Sequence, residues 1–446
     1  MLVLDERREG ETPRTERGRA SYAGLDGAPP FERWVRAQVV NAQRHIGALR
    51  PMTRDDFRSP SGVADPSEGH IRAVNELIDT LRVTLNHHAR TLRVAAATAA
   101  RSPGPGDLDR FLSRKDRVLE WVQAIERIYD FYGELFGQRQ APAGMWLAAC
   151  DRIALDCYQV AFVGIGIAKS IPAPAPYCYM RTGFSPATFR RGIPLRRLGQ
   201  RINPFPLIEL PMHRLTSPWT LGAILHEVSH SLQNELGLAR HVPARIVEAL
   251  RASGASENAI PAIARMEREV FADLAGTLLG GPAVVASLFD VIGRSPRIVF
   301  AYDPRGVHPP PDLRAQVSVV LLRRMGFPRA ADRLLRIWRH LFPDPSRGSI
   351  PADLRRNFRR RAEAIVDAVC YRPYRELGGK ALAQVLRFGP KDQQMAVEAA
   401  HRMAVGIDPG VIPERYLIGA ARIALDRRLA SPGAIARHFY DTLLRR

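Results

Sequence analysis

The sequence has little cysteine and no long apolar run. Its four cysteines are scattered and none forms a Cys-x-x-Cys pair, which argues against a disulfide scaffold and a thiolate zinc site. The longest uncharged run, residues 274–289, contains Gly-Gly-Pro and is short for a bilayer span. The N-terminal segment is charged where a signal peptide would be apolar. We therefore expect a cytoplasmic protein with reduced thiols and no membrane-spanning segment.

Aromatic residues are also few, at 7% of the chain, whereas 65 basic residues against 45 acidic ones leave a net charge of +20. Such an excess suits a nucleic acid, a phospholipid surface or an acidic partner, and its sign alone does not choose among them. The excess is mostly arginine within predicted helices, without the interleaved aromatic residues typical of RNA-binding surfaces. A nucleic-acid partner is therefore disfavoured. A hydrophobic fraction of 46% excludes a wholly disordered chain.

The N-terminal third shows no evident chemistry. Residues 1–30 are polar and lack periodicity, which predicts a disordered tail. From residue 31 to about residue 140, apolar residues recur at helical spacing, and a Ser-Pro-Gly-Pro-Gly-Asp segment separates two of the helices. This region is predicted to be a helical bundle with helices at residues 33–50, 71–100 and 108–136.

The remainder is predicted to combine many helices with a small β-sheet. Residues 158–167 (YQVAFVGIGI) favour a strand, and residues 206–211 (PLIELP), with proline at both ends, favour an edge strand. The predicted fold class is therefore mainly α with a small β-sheet (α+β), with a core domain at residues 141–345 and a C-terminal helical region at residues 346–446. The core helices are predicted at residues 218–236, 260–279, 282–292, 313–325 and 330–341.

Residues 226–230 read His-Glu-Val-Ser-His, an HExxH motif. Positions four apart lie on one face of a helix, so both imidazoles can reach one metal ion, and Glu227 projects about 100° further round, beside that ion. Gly222 leaves room beside the histidines, while Ser217 and Gly237 are suited to begin and end the helix. Two helix histidines without a metal are the alternative interpretation.

A zinc site needs at least three protein ligands, and a downstream carboxylate is expected to supply the third. Glu269 and Asp273 lie four positions apart, so one can bind the metal while the other accepts the outward N–H of a ligand histidine. Glu267 is the alternative ligand, since it points about 200° away from Glu269 on a helix and a helical wheel favours neither. Glu269 is preferred because only it has a carboxylate one turn later. Its face also carries Gly276, which leaves space for a close approach between helices.

Glu269 begins the run EVFADLAG, which matches an E-x-F-x-D-x-x-G pattern. Together with HExxH, this pattern resembles the gluzincin branch of zinc metallopeptidases, such as the thermolysin-like enzymes, over two helices. The resemblance implies a zincin-like core, flanked by helical regions, in which His226, His230 and Glu269 bind Zn²⁺. It further implies that Glu227 is the catalytic base and that Asp273 supports a ligand histidine.

A third cluster lies in a proline-rich loop. Tyr302 and His308 in this loop can donate hydrogen bonds to an oxyanion that develops during acyl transfer. The alternative is a rigid turn before a helix that Asp312 caps. Tyr302 and His308 are therefore candidate catalytic residues beside Glu227.

These features predict a zinc-dependent metallopeptidase that hydrolyses peptide bonds in a peptide or protein substrate, with Zn²⁺ as cofactor and Glu227 as general base. The PLIELP strand, predicted at a sheet edge, would hold an extended substrate by strand addition. Two other functions stay open: a catalytically silent or regulatory metal-binding zincin scaffold, and a basic helical interaction protein whose HExxH is accidental. Zinc stoichiometry separates the last from the other two, and a peptide-library digest separates the peptidase from the silent scaffold.

Overall fold

The computed structural model describes residues 29–101, 104–166 and 169–446. The predicted tail at residues 1–30 lies outside the described residues except for its last two. The described chain is 68% helical and contains one three-stranded mixed sheet and two two-stranded sheets. This confirms the predicted fold class, mainly α with a small β-sheet. None of the helices in the described ranges combines the length and the apolar composition that a bilayer crossing requires.

The elements are numbered in chain order. The helices are α1 (Pro30–Ala48), α2 (Glu68–Arg101), α3 (Pro105–Gly137), α4 (Gly144–Ile165), α5 (Met212–Leu215), α6 (Gly222–Glu235), α7 (His241–Ala252), α8 (Ala259–Arg265), α9 (Glu267–Gly280), α10 (Pro282–Ile292), α11 (Pro296–Val299), α12 (Pro311–Arg324), α13 (Pro328–Leu341), α14 (Ala352–Arg355), α15 (Phe358–Val366), α16 (Leu382–Val385), α17 (Pro390–Ala404), α18 (Tyr416–Asp426) and α19 (Pro432–Arg445). The strands are β1 (Tyr177–Met180), β2 (Ala187–Phe189), β3 (Pro194–Leu195), β4 (Arg201–Ile202), β5 (Leu207–Leu210), β6 (Pro373–Tyr374) and β7 (Lys380–Ala381).

The chain forms two compact units. Among the described residues, the first comprises residues 29–51, 78–101 and 104–127, and the second comprises residues 52–77, 128–166 and 169–446. In the first unit Val35 is buried, and Trp34 packs edge-to-face against Phe111 with 6.1 Å between ring centroids. This division differs from the predicted boundaries, since the second unit begins before residue 140 and continues across residue 345.

The three-stranded sheet has β5 at its centre. β5 pairs in parallel with β1 and antiparallel with β2, where Thr188 lies opposite Ile208. The predicted edge position of the PLIELP strand is therefore wrong. Its two prolines lie just outside the four residues of β5, where a missing N–H donor removes no ladder hydrogen bond. β2 is an edge strand instead, and Thr188 on it contacts Glu227 of α6.

The predicted strand at residues 158–167 is also wrong, because residues 158–165 form the last two turns of α4. Buried residues recur there at helical spacing: Tyr158, Ala161, Phe162 and Ile165. β-branched and aromatic residues favour strands individually, but burial along one face of a helix that begins at Gly144 outweighs that preference. The last residue of the predicted strand, Ile167, lies outside the described residues.

α6 carries the HExxH motif. It begins at Gly222, after a 3₁₀ turn at Pro218–Thr220, and the Ser217 side chain makes no capping hydrogen bond, so the predicted cap is wrong. Gly237, just after the end of α6, has a φ of 80°, the left-handed conformation predicted at this position.

Glycine allows α6 and α9 to approach closely. A Cβ atom placed on Gly276 of α9 would lie 3.2 Å from the backbone nitrogen of His226. Because this neighbour is a backbone atom, no side-chain rotation can relieve the contact. Gly222 allows a similar approach between α6 and α10, since its added Cβ would lie 2.7 Å from Ser287 Oγ. The close approach predicted at Gly276 is confirmed, whereas Gly222, which was predicted to leave room beside the histidines, lies against Ser287 of α10.

The Gly276→Ala variant should lower the free energy of unfolding by about 1–3 kcal/mol, because its methyl group pushes α9 away from the α6 backbone. The matched control is Gly133→Ala in α3, where an added Cβ meets no atom within 4 Å. That control should be neutral or stabilising by up to about 1 kcal/mol. Urea unfolding followed by circular dichroism measures both, and equal stability of the two variants would contradict the close approach.

Candidate metal centre

Three candidate ligands meet between α6 and α9. The Nε2 atoms of His226 and His230 are 3.2 Å apart, and carboxylate oxygens of Glu269 lie 3.5 Å from the first and 3.4 Å from the second. A tetrahedral zinc ion with bonds of about 2.0–2.2 Å holds its ligand atoms about 3.3–3.6 Å apart. The two histidine–carboxylate distances, which are to different oxygens of Glu269, lie in this range, and the distance between the two Nε2 atoms is slightly shorter. The three side chains are therefore close to the spacing that such an ion requires.

The chemistry of the donor set also fits. Two imidazole nitrogens and one carboxylate oxygen are a known set of protein ligands for catalytic zinc, in which a fourth position stays open for water or substrate. All three side chains line a cleft of about 910 Å³. A ligand bound in this cleft would therefore have direct access to the metal position.

Asp273 supports the histidine pair through His226, at the ring nitrogen that does not face Glu269. Its Oδ1 atom lies 2.9 Å from Nδ1 of His226, so the tautomer with a free lone pair on Nε2 is favoured. Arg314 of α12 positions Asp273, donating to it from Nε and from Nη2 at 2.7 Å each. Sequence analysis missed Arg314, and its only signal was an arginine within the otherwise mostly apolar first half of α12.

The buried charges of the site are balanced against one another. Burial raises the pKa of Glu269, but hydrogen bonds from His226 and His308 outweigh it and hold that pKa well below its ordinary value. Burial lowers the pKa of His226, but hydrogen bonds to Asp273 and Glu269 outweigh it and raise that pKa to about 10. Burial, aided by the positive charge of His226, lowers the pKa of His230 to about 3. The carboxylates thus stabilise a positive charge between the two imidazole rings, as a cation site requires.

Glu227 stands apart from the three candidate ligands and also lines the cleft. The Thr188 hydroxyl of β2 donates to its Oε2 atom at 2.7 Å. Burial raises the pKa of Glu227, while the charge of His226 and the Thr188 hydroxyl act against the rise. A positioned carboxylate with a raised pKa is suited to general acid–base chemistry. Thr188 was another residue that sequence analysis missed, because its contact depends on the sheet order.

The structure brings only one of the two loop candidates to the site. His308 lines the cleft with its side chain 70% exposed, and its Nδ1 lies 3.3 Å from Glu269 Oε2. The hydrogen bond to Glu269 raises the pKa of His308 against the effect of partial burial. Tyr302 is not among the residues lining the cleft and packs against the hydrophobic core instead. Asp312 does not cap α12: it lies within the first turn and accepts a hydrogen bond from Trp338 at 3.0 Å.

Glu267, the alternative third ligand, points elsewhere. Its carboxylate accepts a hydrogen bond from Gln233 of α6 at 2.6 Å, and it is not grouped with the two histidines. The structure therefore places Glu269, and not Glu267, beside His226 and His230, the arrangement that the carboxylate one turn later predicted.

α6 runs along the cleft from an apolar end to a cationic end. Gly222 at its start packs on α10, whose cleft-lining residues include Val284, Leu288 and Val291. Gln233 near its end contacts Glu267, which lies near Arg190 and forms an ion pair with Arg268. These two arginines line the cleft together with Arg265, two positions before Glu267, and we call the three the arginine cluster; Arg294, after α10, also lines the cleft. Gln233 is eleven positions after Gly222, so the two ends are about 16 Å apart along the helix axis.

Comparison of the chain with protein-family models, with curated proteins and with solved structures finds no match.

Removal of the proposed third ligand should release the metal. We expect Glu269→Ala to reduce zinc affinity more than Asp273→Ala, which should cost about 10–100-fold because Asp273 acts through His226. Glu267→Ala is the matched control, since it removes a buried carboxylate two residues away, and it should keep its zinc. Competition with a chromophoric chelator measures all three. Zinc loss in Glu267→Ala together with zinc retention in Glu269→Ala would contradict the assignment.

Proposed function

We propose that the protein is a zinc metallopeptidase that hydrolyses peptide bonds in an extended peptide or protein substrate. One observation carries the proposal: two imidazoles and a carboxylate meet at close to tetrahedral spacing in an open cleft, beside a further carboxylate, Glu227, that is not grouped with them. Bound zinc would supply Lewis acidity, polarising the scissile carbonyl and lowering the pKa of a water molecule to about 7.

Glu227 is the proposed general base. Because Thr188 holds one of its oxygens, the other is available to take a proton from the attacking water. The same carboxyl group then passes that proton to the leaving amine, so one residue serves both halves of the reaction. The raised pKa of Glu227 favours the first transfer, since a carboxylate that is a stronger base takes up the proton of the attacking water more readily.

His308 is the proposed donor to the oxyanion. It lies on the cleft wall beside Glu269, and the bond that raises its pKa keeps its ring cationic to higher pH. Arg314 adds a buried positive charge, with its Nη1 atom 3.4 Å from Glu269 Oε2. Positive charge held in place before the reaction stabilises a developing oxyanion without reorganisation.

The edge of β2 that faces away from β5 pairs with no other strand in the described part of the chain. It is the proposed backbone docking site for the substrate, in place of the PLIELP strand. Ala187 and Thr188 of β2 line the cleft, whereas the other edge of β2 is paired with β5. A peptide added to this edge contributes backbone hydrogen bonds that do not depend on its sequence. Antiparallel addition is favoured, since antiparallel pairs are slightly more stable per residue.

We also propose a cytoplasmic location. The four cysteines are free and buried, and burial raises the pKa of each thiol. Unreactive, unpaired thiols are typical of a reducing compartment.

Glu227→Gln should keep its zinc and lose turnover by about 10²–10⁴-fold or more, because the amide has a similar shape and no basicity. Zinc content and cleavage of a broad peptide library measure the two properties separately. Zinc loss in this variant would make Glu227 structural, and unchanged turnover would refute its role as base. A wild-type protein that binds zinc and cleaves no peptide would favour the silent scaffold.

His308→Ala should lower kcat by about 10²–10³-fold and raise KM much less, because an oxyanion donor acts mainly in the transition state. Tyr302→Phe is the comparison within the same loop and should leave both constants unchanged, since Tyr302 does not line the cleft. A folded His308→Ala variant with wild-type kinetics would reduce His308 to part of a rigid turn.

A further inference from the structure

The cationic end of the cleft carries charge that its surroundings do not neutralise. The arginine cluster places three guanidinium groups there, and the carboxylate beside them is Glu267. With a divalent ion bound, the negative charges of Glu227, Glu269 and Asp273 would be balanced by the ion and Arg314. The metal centre would then have no negative charge left to offset the arginines. The cluster is therefore positive when the metal centre is loaded.

Arg190 is the key member of the cluster. It is half-buried in the cleft wall, and none of the residues that the structure describes accepts a hydrogen bond or forms an ion pair with its guanidinium group. Burial and the charge of Arg268 lower its pKa, against the opposing effect of the Glu267 carboxylate. A half-buried guanidinium without a partner forgoes stabilisation that an anionic ligand would restore.

The backbone that carries Arg190 is held in place. Asn203, which is fully buried, donates from Nδ2 to the carbonyl oxygens of Phe189 at 3.0 Å and of Arg190 at 3.2 Å. The position of Arg190 is therefore set before a ligand binds, which reduces the entropic cost of recognition.

The position of Arg190 along β2 defines which part of a substrate it meets. Arg190 lies one residue beyond the end of β2 and two positions after Thr188, the residue bonded to the proposed base, so the two are at most about 7 Å apart along the chain. A peptide that adds to β2 antiparallel passes this point about two residues before its scissile bond. Its side chains on the N-terminal side of that bond are then within reach of the cluster.

We propose that the arginine cluster selects peptides with an aspartate or glutamate side chain on the N-terminal side of the scissile bond. The position of the acidic residue rests on the proposed peptidase function, whereas the preference for a carboxylate rests on the cluster alone. Arg190 supplies a charge-assisted hydrogen bond, and Arg265 and Arg268 add to the local positive potential. Arg265 also donates to the carbonyl oxygen of Pro304, which holds its side chain at the cleft.

Three matched peptides test the preference. They are acetylated and amidated octapeptides of alanine with one leucine after the intended scissile bond, and they carry Glu, Gln or Lys two residues before that bond. We expect kcat/KM for the Glu peptide to exceed that for the Gln peptide by about 10–100-fold, the range for a hydrogen bond to a charged group. Equal values for the three peptides would overturn the proposal.

Charge reversal tests the residue. Arg190→Glu should change the preference from the Glu peptide to the Lys peptide, and a reversed preference also shows that the variant is folded. If Arg190→Glu does not fold, Arg190→Gln should remove the preference. The matched control is Arg297→Glu, an exposed arginine of α11 that does not line the cleft, which should retain the wild-type preference. If Arg297→Glu loses the preference for the Glu peptide to the same extent, the preference depends on overall charge and the proposal is overturned.

Binding separates this proposal from the peptidase proposal. Competition of the same peptides against a fluorescent Glu peptide for zinc-loaded Glu227→Gln protein reports affinity without turnover. Tighter binding of the Glu peptide to this variant, together with no cleavage by the zinc-loaded wild-type protein, would support the cluster and refute the peptidase. Cleavage by the wild-type protein without discrimination would do the reverse. A peptide with its glutamate after the scissile bond, or with a free C-terminal carboxylate, tests on which side of that bond a carboxylate is recognised. An advantage for either would overturn the N-terminal placement.

Discussion

The close approach of α6 to α9 is the constraint on which the rest of the site depends. Gly276 lies against the backbone of His226, and at this separation Glu269 and Asp273 reach both sides of the same imidazole. The two histidines are four positions apart on α6 and the two carboxylates four positions apart on α9. The close approach of the helices brings these four side chains into one cluster. A methyl group at position 276 would require the helices to separate by a few tenths of an ångström, and a zinc ion would hold its ligand distances within comparably narrow limits.

Close packing creates an electrostatic cost that a third helix relieves. Glu227, Glu269 and Asp273 are all buried within one small volume, and carboxylates held this close repel one another. Arg314 of α12 offsets part of that repulsion through two hydrogen bonds to Asp273 and a contact to Glu269. The remaining negative charge raises the affinity for a cation between the imidazoles, so the same repulsion that disfavours the empty site favours metal binding.

Sequence reasoning succeeded where the determining contacts are local. The spacing within HExxH and the carboxylate one turn after Glu269 predicted the group that the structure brings together, because helical geometry alone sets which side chains share a face. It failed where pairing between distant segments decides. The prolines around β5 are equally compatible with an edge and a central strand, since both lie outside the ladder, and strand-favouring residues at 158–165 are buried as a helical face. Arg314, Thr188 and Arg190 acquire roles only through tertiary contacts that no local pattern in the sequence specifies.

The net charge of +20 and the arginine cluster would act on the proposed acidic substrate at different distances. Charges spread over the surface steer an anion towards the protein, and salt screens this effect beyond about 8–10 Å at physiological ionic strength. The Arg190 guanidinium is half-buried and would touch its ligand, so it is screened much less. Added salt should therefore slow association of all acidic peptides alike while leaving most of the discrimination between Glu and Gln peptides intact. If long-range charge alone caused the preference, added salt would lower the association rate and the discrimination together, because long-range charge does not distinguish one side-chain position from another.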